Sequence, residues 1–280
     1  MDYGIANKTG KVPRDQALNI VQYAHEAGID TLDTAYVYGD SEEIIGHFLS
    51  GAKRAFKVVS KLPPLDDKST LEDIEDAVKT SRDRLKIQVL YGYLIHRPRD
   101  FLQHKGLWNA LETLREKGIM KKIGFSICTT EELEMIFKNN IAIDILQLPY
   151  SIFDRRFEKY FSELKERNIE IHARSAFLQG LVFLTPGALP SNLSKAKDPI
   201  EKLHKASRAL HLPIHAVCIN FVLLQSYIDK VVIGVDHLEH LKKNVEALKA
   251  IHKVKKAYGK LMPLEIDDEQ ILLPYNWNIK

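Results

Sequence analysis

Apolar and polar positions follow two alternating patterns along the chain. In the first pattern, apolar residues recur every three or four positions, as Ala17, Val21 and Ala24 do before Gly28, a residue typical of a helix C-terminus. In the second, short runs rich in β-branched residues are bounded by polar ones, which is typical of buried parallel strands. Seven such strands are predicted: Thr31–Asp33, Lys57–Leu62, Tyr91–His96, Lys122–Ile127, Ile145–Leu148, Glu170–Ser175 and Lys230–Val235.

Amphipathic helices are predicted between these strands, and the junctions "EAGIDTLD", "REKGIMKKIGF" and "KERNIEIHAR" resemble one another. Strand, helix and strand in this order indicate parallel βαβ units. The predicted helices are Arg14–Ala27, Glu42–Leu49, Leu71–Leu85, Gly106–Lys117, Glu131–Asn139, Phe157–Arg167, Ile200–Ala209, Ile214–Gln225 and Leu238–Leu248.

This alternation favours the α/β class and a (β/α)8 TIM barrel, which closes with about eight strands. The missing strand would precede Arg14, where the sequence reads as a loop, so we expect the first barrel strand to be absent from this chain. No linker or change in composition divides the sequence. We therefore expect one barrel domain over residues 1–280, with residues 250–280 as a C-terminal extension.

Composition and charge narrow the function classes. The 280 residues are 45% hydrophobic and 28% charged, as in a folded globular protein. With 40 basic and 37 acidic residues, the net charge of +3 does not predict a nucleic-acid partner. The two cysteines, Cys128 and Cys218, lack metal-ligand spacing and indicate reduced thiols. Since neither a membrane-spanning stretch nor a signal peptide is evident, we expect a cytoplasmic protein with a small-molecule partner, while its oligomeric state stays open.

Four polar residues follow consecutive predicted strands at their carboxyl ends, where the active sites of barrel enzymes lie. Asp33 ends the first strand and Tyr38 lies in the loop after it, Lys61 ends the second strand, and His96 ends the third. Each residue alone has a structural explanation, such as a helix cap, a packed aromatic ring or a buried histidine. Together they indicate one site.

The four side chains suit the reduction of a carbonyl group. A free phenol has a pKa of about 10, so tyrosine is a weak acid at neutral pH. A cation such as Lys61 lowers the pKa of a neighbouring phenol, and Asp33 would keep that cation charged and oriented. His96 would donate a hydrogen bond to the substrate oxygen. Because the chain carries no hydride source of its own, a cofactor must supply the hydride.

The motifs "GIDTLDTAYVYGDSEEIIG", "VVSKLP", "YLIHRP" and "KKIGFS" make the chain resemble the aldo-keto reductase family from about Tyr3 to Leu248. The resemblance implies a (β/α)8 barrel without a metal, in which NADPH reduces an aldehyde or ketone. It also implies that Asp33, Tyr38, Lys61 and His96 are the catalytic tetrad, with Tyr38 as general acid.

The resemblance also implies a set of cofactor contacts. Ser126 and Gln147 match the residues that hold the nicotinamide carboxamide, although Ile127 stands where asparagine is common. The remaining implied contacts are Arg174 at the nicotinamide ring, Ser175, Phe177, Leu178 and Gly180 at the pyrophosphate, and Gly234, His240 and Asn244 at the adenosine. NADP(H) is the preferred cofactor, with Lys242 or Lys243 as phosphate partners, and NAD(H) stays open.

Three functions remain in competition. The first is an NADP(H)-dependent carbonyl reductase. The segments "VVIGVDHLEHLKKN" and "ILLPYNWN" are similar to those of aldo-keto reductases found with bacterial surface-sugar pathways, and this resemblance implies a sugar-like substrate. The second is a regulatory subunit of the same fold that binds the cofactor without turnover. The third is a barrel lyase or aldolase in which Lys61 forms a Schiff base.

Overall fold

The computed structural model describes residue 5, residues 10–52 and residues 56–277, and it confirms the alternation of strands and helices. The prediction that the chain lacks a strand before Arg14 depends mostly on residues 1–4 and 6–9, which lie outside the described residues. Seven strands are present in the described chain: β1 Thr31–Asp33, β2 Lys57–Lys61, β3 Leu90–Ile95, β4 Met120–Ser126, β5 Ile145–Pro149, β6 Glu170–Arg174 and β7 Lys230–Val231.

The helices of the described residues cover the intervening segments. They are α1 Arg14–Glu26, α2 Ser41–Leu49, α3 Leu71–Leu85, α4 Pro98–Gln103, α5 Leu107–Glu116, α6 Thr130–Lys138, α7 Phe161–Glu166, α8 Lys197–Leu210, α9 Ile214–Leu223, α10 Leu238–Ala247, α11 Ile251–Leu261 and α12 Glu269–Leu272. Short 3-10 helices cover Glu158–Tyr160, Leu178–Phe183, Pro186–Ala188 and Ser191–Ala196.

The strands form one sheet in chain order, β1 to β7. Each strand from β1 to β4 pairs in parallel with the next one along the chain, and β6 pairs in parallel with β7. The register aligns Asp33 with Val59 and Lys61 with Leu94, close to the carboxyl ends of the strands. Polar side chains at the ends of successive strands are therefore brought to the same edge of the sheet.

Backbone contacts group Val12–Gln147 and Arg167–Glu170 into one compact unit, called unit 1 here. Two of its helices begin with a capping box, in which Thr70 pairs with Asp73 at α3 and Thr129 with Glu132 at α6. These boxes satisfy backbone N–H groups that a helix start leaves without partners.

Strand β4 is buried in unit 1 by aromatic packing and by a close contact between strands. Phe125 stacks on Trp108 at a centroid distance of 5.4 Å. Gly124 lies so close to β5 that a Cβ atom there would be 1.8 Å from the carbonyl oxygen of Ile145. Only glycine fits the backbone at this point.

A second compact unit, unit 2, contains Leu148–Glu166 and the residues from Ile171 onward. Helices α9 and α11 pack together in it, and the rings of Phe221 and Tyr258 stack at 4.8 Å. Buried Arg155 donates to the carbonyl oxygen of Met262 at 2.8 Å and contacts the carboxylate of Glu265. The described part of the predicted C-terminal extension is thus packed within unit 2, while the prediction of one domain stays a prediction.

Some of the predicted elements need correction. Strand β7 ends at Val231 rather than Val235: Lys230 and Val231 are in register with β6, and beyond them the N–H of Val232 donates to the carbonyl oxygen of Ala173 at 2.7 Å. The predicted helix Phe157–Arg167 is divided into a 3-10 turn and α7. Helices α4, α11 and α12 were not predicted.

Two further findings concern the cysteines and the helix lengths. Among the described residues, neither cysteine forms a disulfide, and burial raises the pKa of the Cys218 thiol to about 12. Within the described ranges, no single helix is long and apolar enough to cross a membrane. The pair Ser191–Leu210 and Ile214–Leu223, bent by 94°, reaches that length only in combination.

Candidate active site

The loop that carries Tyr38 is held against β2 by backbone hydrogen bonds. The N–H of Thr34 donates to the carbonyl oxygen of Val59 at 2.9 Å, and the N–H of Tyr36 donates to that of Lys61 at 3.2 Å. This pairing continues the β1–β2 ladder beyond the end of β1. It places the half-buried Tyr38 beside the end of β2.

Lys61 is an almost fully buried cation, only 1% exposed. Its ammonium donates to Asp33 Oδ1 at 2.5 Å and to the carbonyl oxygen of Thr34 at 2.8 Å. A buried charge is costly unless it is paired, and these two acceptors stabilise it. The Lys61 Nζ lies 5.3 Å from the centre of the Tyr38 ring, which puts a fixed positive charge beside the phenol.

His96 contacts the same phenol from β3. Its ring meets the Tyr38 ring edge-on, with a centroid distance of 5.8 Å and an interplanar angle of 80°. The structure thus brings Tyr38, Lys61 and His96 together, and Asp33 joins them through Lys61. This is the arrangement predicted from the sequence; the role of each residue stays a prediction.

Ser126 and Gln147, at neighbouring positions of β4 and β5, extend the polar cluster. The Gln147 amide donates to Asp33 Oδ2 at 2.8 Å, and the Ser126 hydroxyl donates to Gln147 Oε1 at 3.4 Å. Both side chains are buried, and so is that of Ile127, which follows β4. One connected group of polar side chains within unit 1 therefore contains Asp33, Tyr38, Lys61, His96, Ser126 and Gln147.

One contact was missed by the sequence reasoning. The backbone carbonyl of Thr34 is the second acceptor for Lys61. Every residue has such a carbonyl group, so the identity of residue 34 does not predict the contact. The hydroxyl of Thr34 donates to Ser41 Oγ at 3.0 Å, which ties the start of the Tyr38 loop to the first turn of α2.

In unit 2, the loop after β6 has an unusual backbone. Ser175, Leu178 and Gln179 have φ angles of 65°, 44° and 48°, in the left-handed region that L-residues rarely adopt, and Gly180 follows at 91°. Such backbone is strained and is often found where a loop binds a ligand. This loop holds the residues that the resemblance assigns to the pyrophosphate. The Arg174 guanidinium, at the end of β6, donates to Ser175 Oγ at 3.2 Å.

The residues assigned to the adenosine also lie in unit 2. Asn244 lies in α10 and is 7% exposed. His240 is exposed, and its Nδ1 lies 2.7 Å from Asp236 Oδ1. Gly234 is exposed in the segment before α10. Of the two lysines expected at the phosphate, Lys242 pairs with Glu239 at 2.7 Å.

The sequence model of the Aldo/keto reductase family matches residues 2–263, so the chain belongs to this family of oxidoreductases. Its members use NAD(P)H and act on small-molecule carbonyl compounds. The uncharacterized oxidoreductase YqkF of Bacillus subtilis (strain 168) is 28% identical over 257 residues, which is 85% of this chain and 83% of that protein. The NADH-specific methylglyoxal reductase of Escherichia coli (strain K12) is 25% identical and covers 85% of this chain and 84% of its own length.

Solved structures agree with this assignment. The holo form of an aldo-keto reductase from Bacillus halodurans has a TM-score of 0.70, 22% identity and coverage of 88% of both chains. An aldo/keto reductase from Klebsiella pneumoniae, in complex with NADP and acetate, has a TM-score of 0.66, 20% identity and coverage of 88% of this chain and 86% of its own. The expected fold class is therefore confirmed: the chain has the (β/α)8-barrel fold of these proteins, of which seven strands lie in the described residues.

Proposed function

We propose that the protein reduces an aldehyde or ketone to an alcohol, with NADPH as hydride donor and Tyr38 as proton donor. The observation that carries this proposal is the buried Lys61 ammonium, bonded to Asp33 and 5.3 Å from the centre of the Tyr38 ring. A phenol in solution holds its proton tightly at neutral pH. The fixed cation stabilises the negative charge left on the Tyr38 oxygen when its proton leaves.

The reaction needs a hydride on the carbonyl carbon and a proton on the carbonyl oxygen. Bound nicotinamide supplies the hydride, and the Tyr38 hydroxyl supplies the proton. Asp33 keeps Lys61 charged and oriented, while His96 donates a hydrogen bond that fixes the carbonyl oxygen near the phenol. After reduction, Tyr38 recovers its proton from solvent.

The residues present fit a nicotinamide cofactor. Ser126 and Gln147 carry the hydroxyl and amide groups that would hold the carboxamide, and the left-handed loop after β6 has backbone suited to a pyrophosphate. The buried carboxamide of Asn244 would pair with the adenine. The NADP complex of the Klebsiella relative favours NADP(H), whereas the NADH-specific reductase of Escherichia coli keeps NAD(H) as the alternative.

For the substrate, we propose a small sugar-like or hydroxylated carbonyl compound. A 6-dehydroglucose reductase from Novosphingobium aromaticivorans is 30% identical over 141 residues, which is 45% of this chain and 46% of that protein. Polar side chains fixed around Tyr38 suit a hydroxylated substrate better than an apolar one.

The experiment combines cofactor titration with a carbonyl panel. NADPH and NADH binding are followed by fluorescence, and oxidation of each is then measured with methylglyoxal, aldoses and simple ketones. We expect tighter binding of NADPH and turnover of at least one panel member. Binding without turnover would favour the regulatory subunit instead. Gain of substrate mass after borohydride treatment without nicotinamide would favour the Lys61 Schiff base.

A further inference from the structure

A carboxylate is buried beside the catalytic cluster but takes no part in the proposed reaction. Glu42 lies in the first turn of α2 and is only 1% exposed. Its Oε1 accepts a hydrogen bond of 2.6 Å from the hydroxyl of Ser60, the residue before Lys61. The helix dipole stabilises an acidic residue in the first turn of a helix that is near solvent. Burial of its charge is costly, so the buried Glu42 carboxylate needs specific partners.

The second partner of Glu42 comes from the last turn of α3. The Arg84 Nη1 lies 3.4 Å from Glu42 Oε2 and 3.5 Å from the carbonyl oxygen of Tyr36. The guanidinium also stacks over the Tyr36 ring, 4.3 Å from its centre. Arg84 therefore holds both the backbone and the side chain of a residue two positions before Tyr38.

Glycine at position 46 sets the distance between the two helices. A Cβ atom there would lie 2.0 Å from the carbonyl oxygen of Arg84 and 2.7 Å from the carbonyl carbon of Leu85. Gly46 follows Glu42 by four residues and so lies on the same face of α2. This close contact fixes α2 against the end of α3, where Arg84 reaches Glu42.

We propose that Glu42 and Arg84 are positioning residues that hold the Tyr38 loop in register with Lys61. Through Ser60 they are bonded to the strand that carries Lys61, and through Tyr36 they are bonded to the loop that carries Tyr38. They therefore connect the strand that carries the ammonium group to the loop that carries the phenol. The inference rests on the proposed function, because it assigns Tyr38 and Lys61 their roles.

A second arginine of unit 1 provides a matched control. Arg115 is 28% exposed and bonds to Asp144 at 2.8 Å, while Arg84 is 29% exposed. Asp144 also accepts a hydrogen bond from the backbone N–H of Ile123. The two arginines are thus equally exposed, whereas the Asp144 carboxylate is 32% exposed and that of Glu42 is 1% exposed. Among the described residues, the hydrogen bonds and ion pairs of Arg115 and Asp144 reach neither β2 nor the Tyr38 loop.

The test compares Arg84→Met, Arg84→Lys and Arg115→Met with the unchanged protein, using NADPH and the panel carbonyl that is turned over fastest. In Arg84→Met we expect kcat to fall about tenfold to a hundredfold, the loss typical of a catalytic group displaced by about 1 Å. KM and the Kd for NADPH should stay within about threefold, since Arg84 is not among the residues proposed to hold the cofactor or the carbonyl group. Arg84→Lys should recover part of kcat because it keeps the charge beside Glu42 and Tyr36.

The solvent deuterium isotope effect on kcat separates positioning from general loss of stability. A displaced Tyr38 makes proton transfer slower, so the isotope effect should increase in Arg84→Met and stay unchanged in Arg115→Met. Equal kcat and equal isotope effects in these two variants would overturn the inference. If Arg84→Met does not fold, Ser60→Ala replaces it. We expect a smaller fall in kcat and a smaller increase in the isotope effect in that variant. An unchanged isotope effect would again count against the inference.

Failure of this inference differs from failure of the proposed function. An active Tyr38→Phe variant would remove the proposed function itself. An inactive Tyr38→Phe together with a fully active Arg84→Met would leave the proposed function intact and remove only the positioning role.

Discussion

The ion pair between Lys61 and Asp33 should couple stability to catalysis, and a double-mutant cycle can separate the two. Lys61→Met leaves the Asp33 carboxylate with only the Gln147 amide among its described side-chain partners, and Asp33→Asn leaves a buried ammonium with a neutral neighbour. Because the side chains are only 1% and 13% exposed and their atoms are 2.5 Å apart, water cannot replace the lost partner. Breaking such a pair costs about 3–5 kcal/mol in the free energy of unfolding.

The double variant Lys61→Met/Asp33→Asn removes both charges. Its loss in the free energy of unfolding should therefore be smaller, by about 2 kcal/mol, than the sum of the losses of the two single variants. Urea unfolding followed by circular dichroism measures stability, and NADPH oxidation measures kcat. We expect the double variant to regain stability and to stay inactive, because the cation beside Tyr38 is still missing.

A similar pair on the same two segments provides the control. Lys57 and Asp30 are 3.3 Å apart, and their side chains are 46% and 38% exposed. The cycle of Lys57→Met and Asp30→Asn should give a coupling below about 1 kcal/mol and leave kcat unchanged. Additivity within about 0.5 kcal/mol at Lys61 and Asp33, or an active double variant, would refute the reasoning.

Three further predictions concern the free energy of unfolding. Gly124→Ala should lower the free energy of unfolding by about 1–3 kcal/mol, because its Cβ would clash with the carbonyl oxygen of Ile145. Gly259→Ala in α11, with nothing within 4 Å, should instead raise it by about 0.5–1 kcal/mol, and the opposite order in urea unfolding would contradict both statements. Burial, with a smaller contribution from nearby cations, lowers the pKa of His215 below its ordinary 6.5, so the unfolded chain takes up a proton first as pH falls. This contribution to stability is present above pH 6.5 and declines below it, so His215→Gln should lose less stability than the unchanged protein between pH 7.5 and 5.5; parallel losses would argue against it.

The catalytic cluster could be predicted from the sequence because its signals are local. The end of a buried strand can be read from the polar residues that bound its apolar run, and parallel strands place their ends at one edge of the sheet. Asp33, Lys61 and His96 follow from those two facts, whereas the choice of Tyr38 as proton donor follows from the resemblance to the aldo-keto reductase family. The burial of Glu42 does not, since it depends on Arg84, which is 42 residues away and ends another helix.

The errors in the predicted elements have similar physical causes. Val232, Ile233 and Val235 have high strand propensity, yet the register with β6 ends at Val231, because a strand needs a partner as well as suitable residues. The sequence does carry a signal for helix α11, because Ile251, Val254, Ala257 and Leu261 follow one another at helical spacing.

The central claim is that the phenol of Tyr38 hands its proton to the substrate oxygen. Single-turnover oxidation of bound NADPH by the preferred carbonyl, compared between the unchanged protein and Tyr38→Phe, tests it most directly. We expect the rate to fall by about 10²–10⁴-fold while the Kd for NADPH changes less than about twofold, because the substitution removes one hydroxyl and keeps the ring against His96. A rate within about threefold of the unchanged protein would contradict the claim.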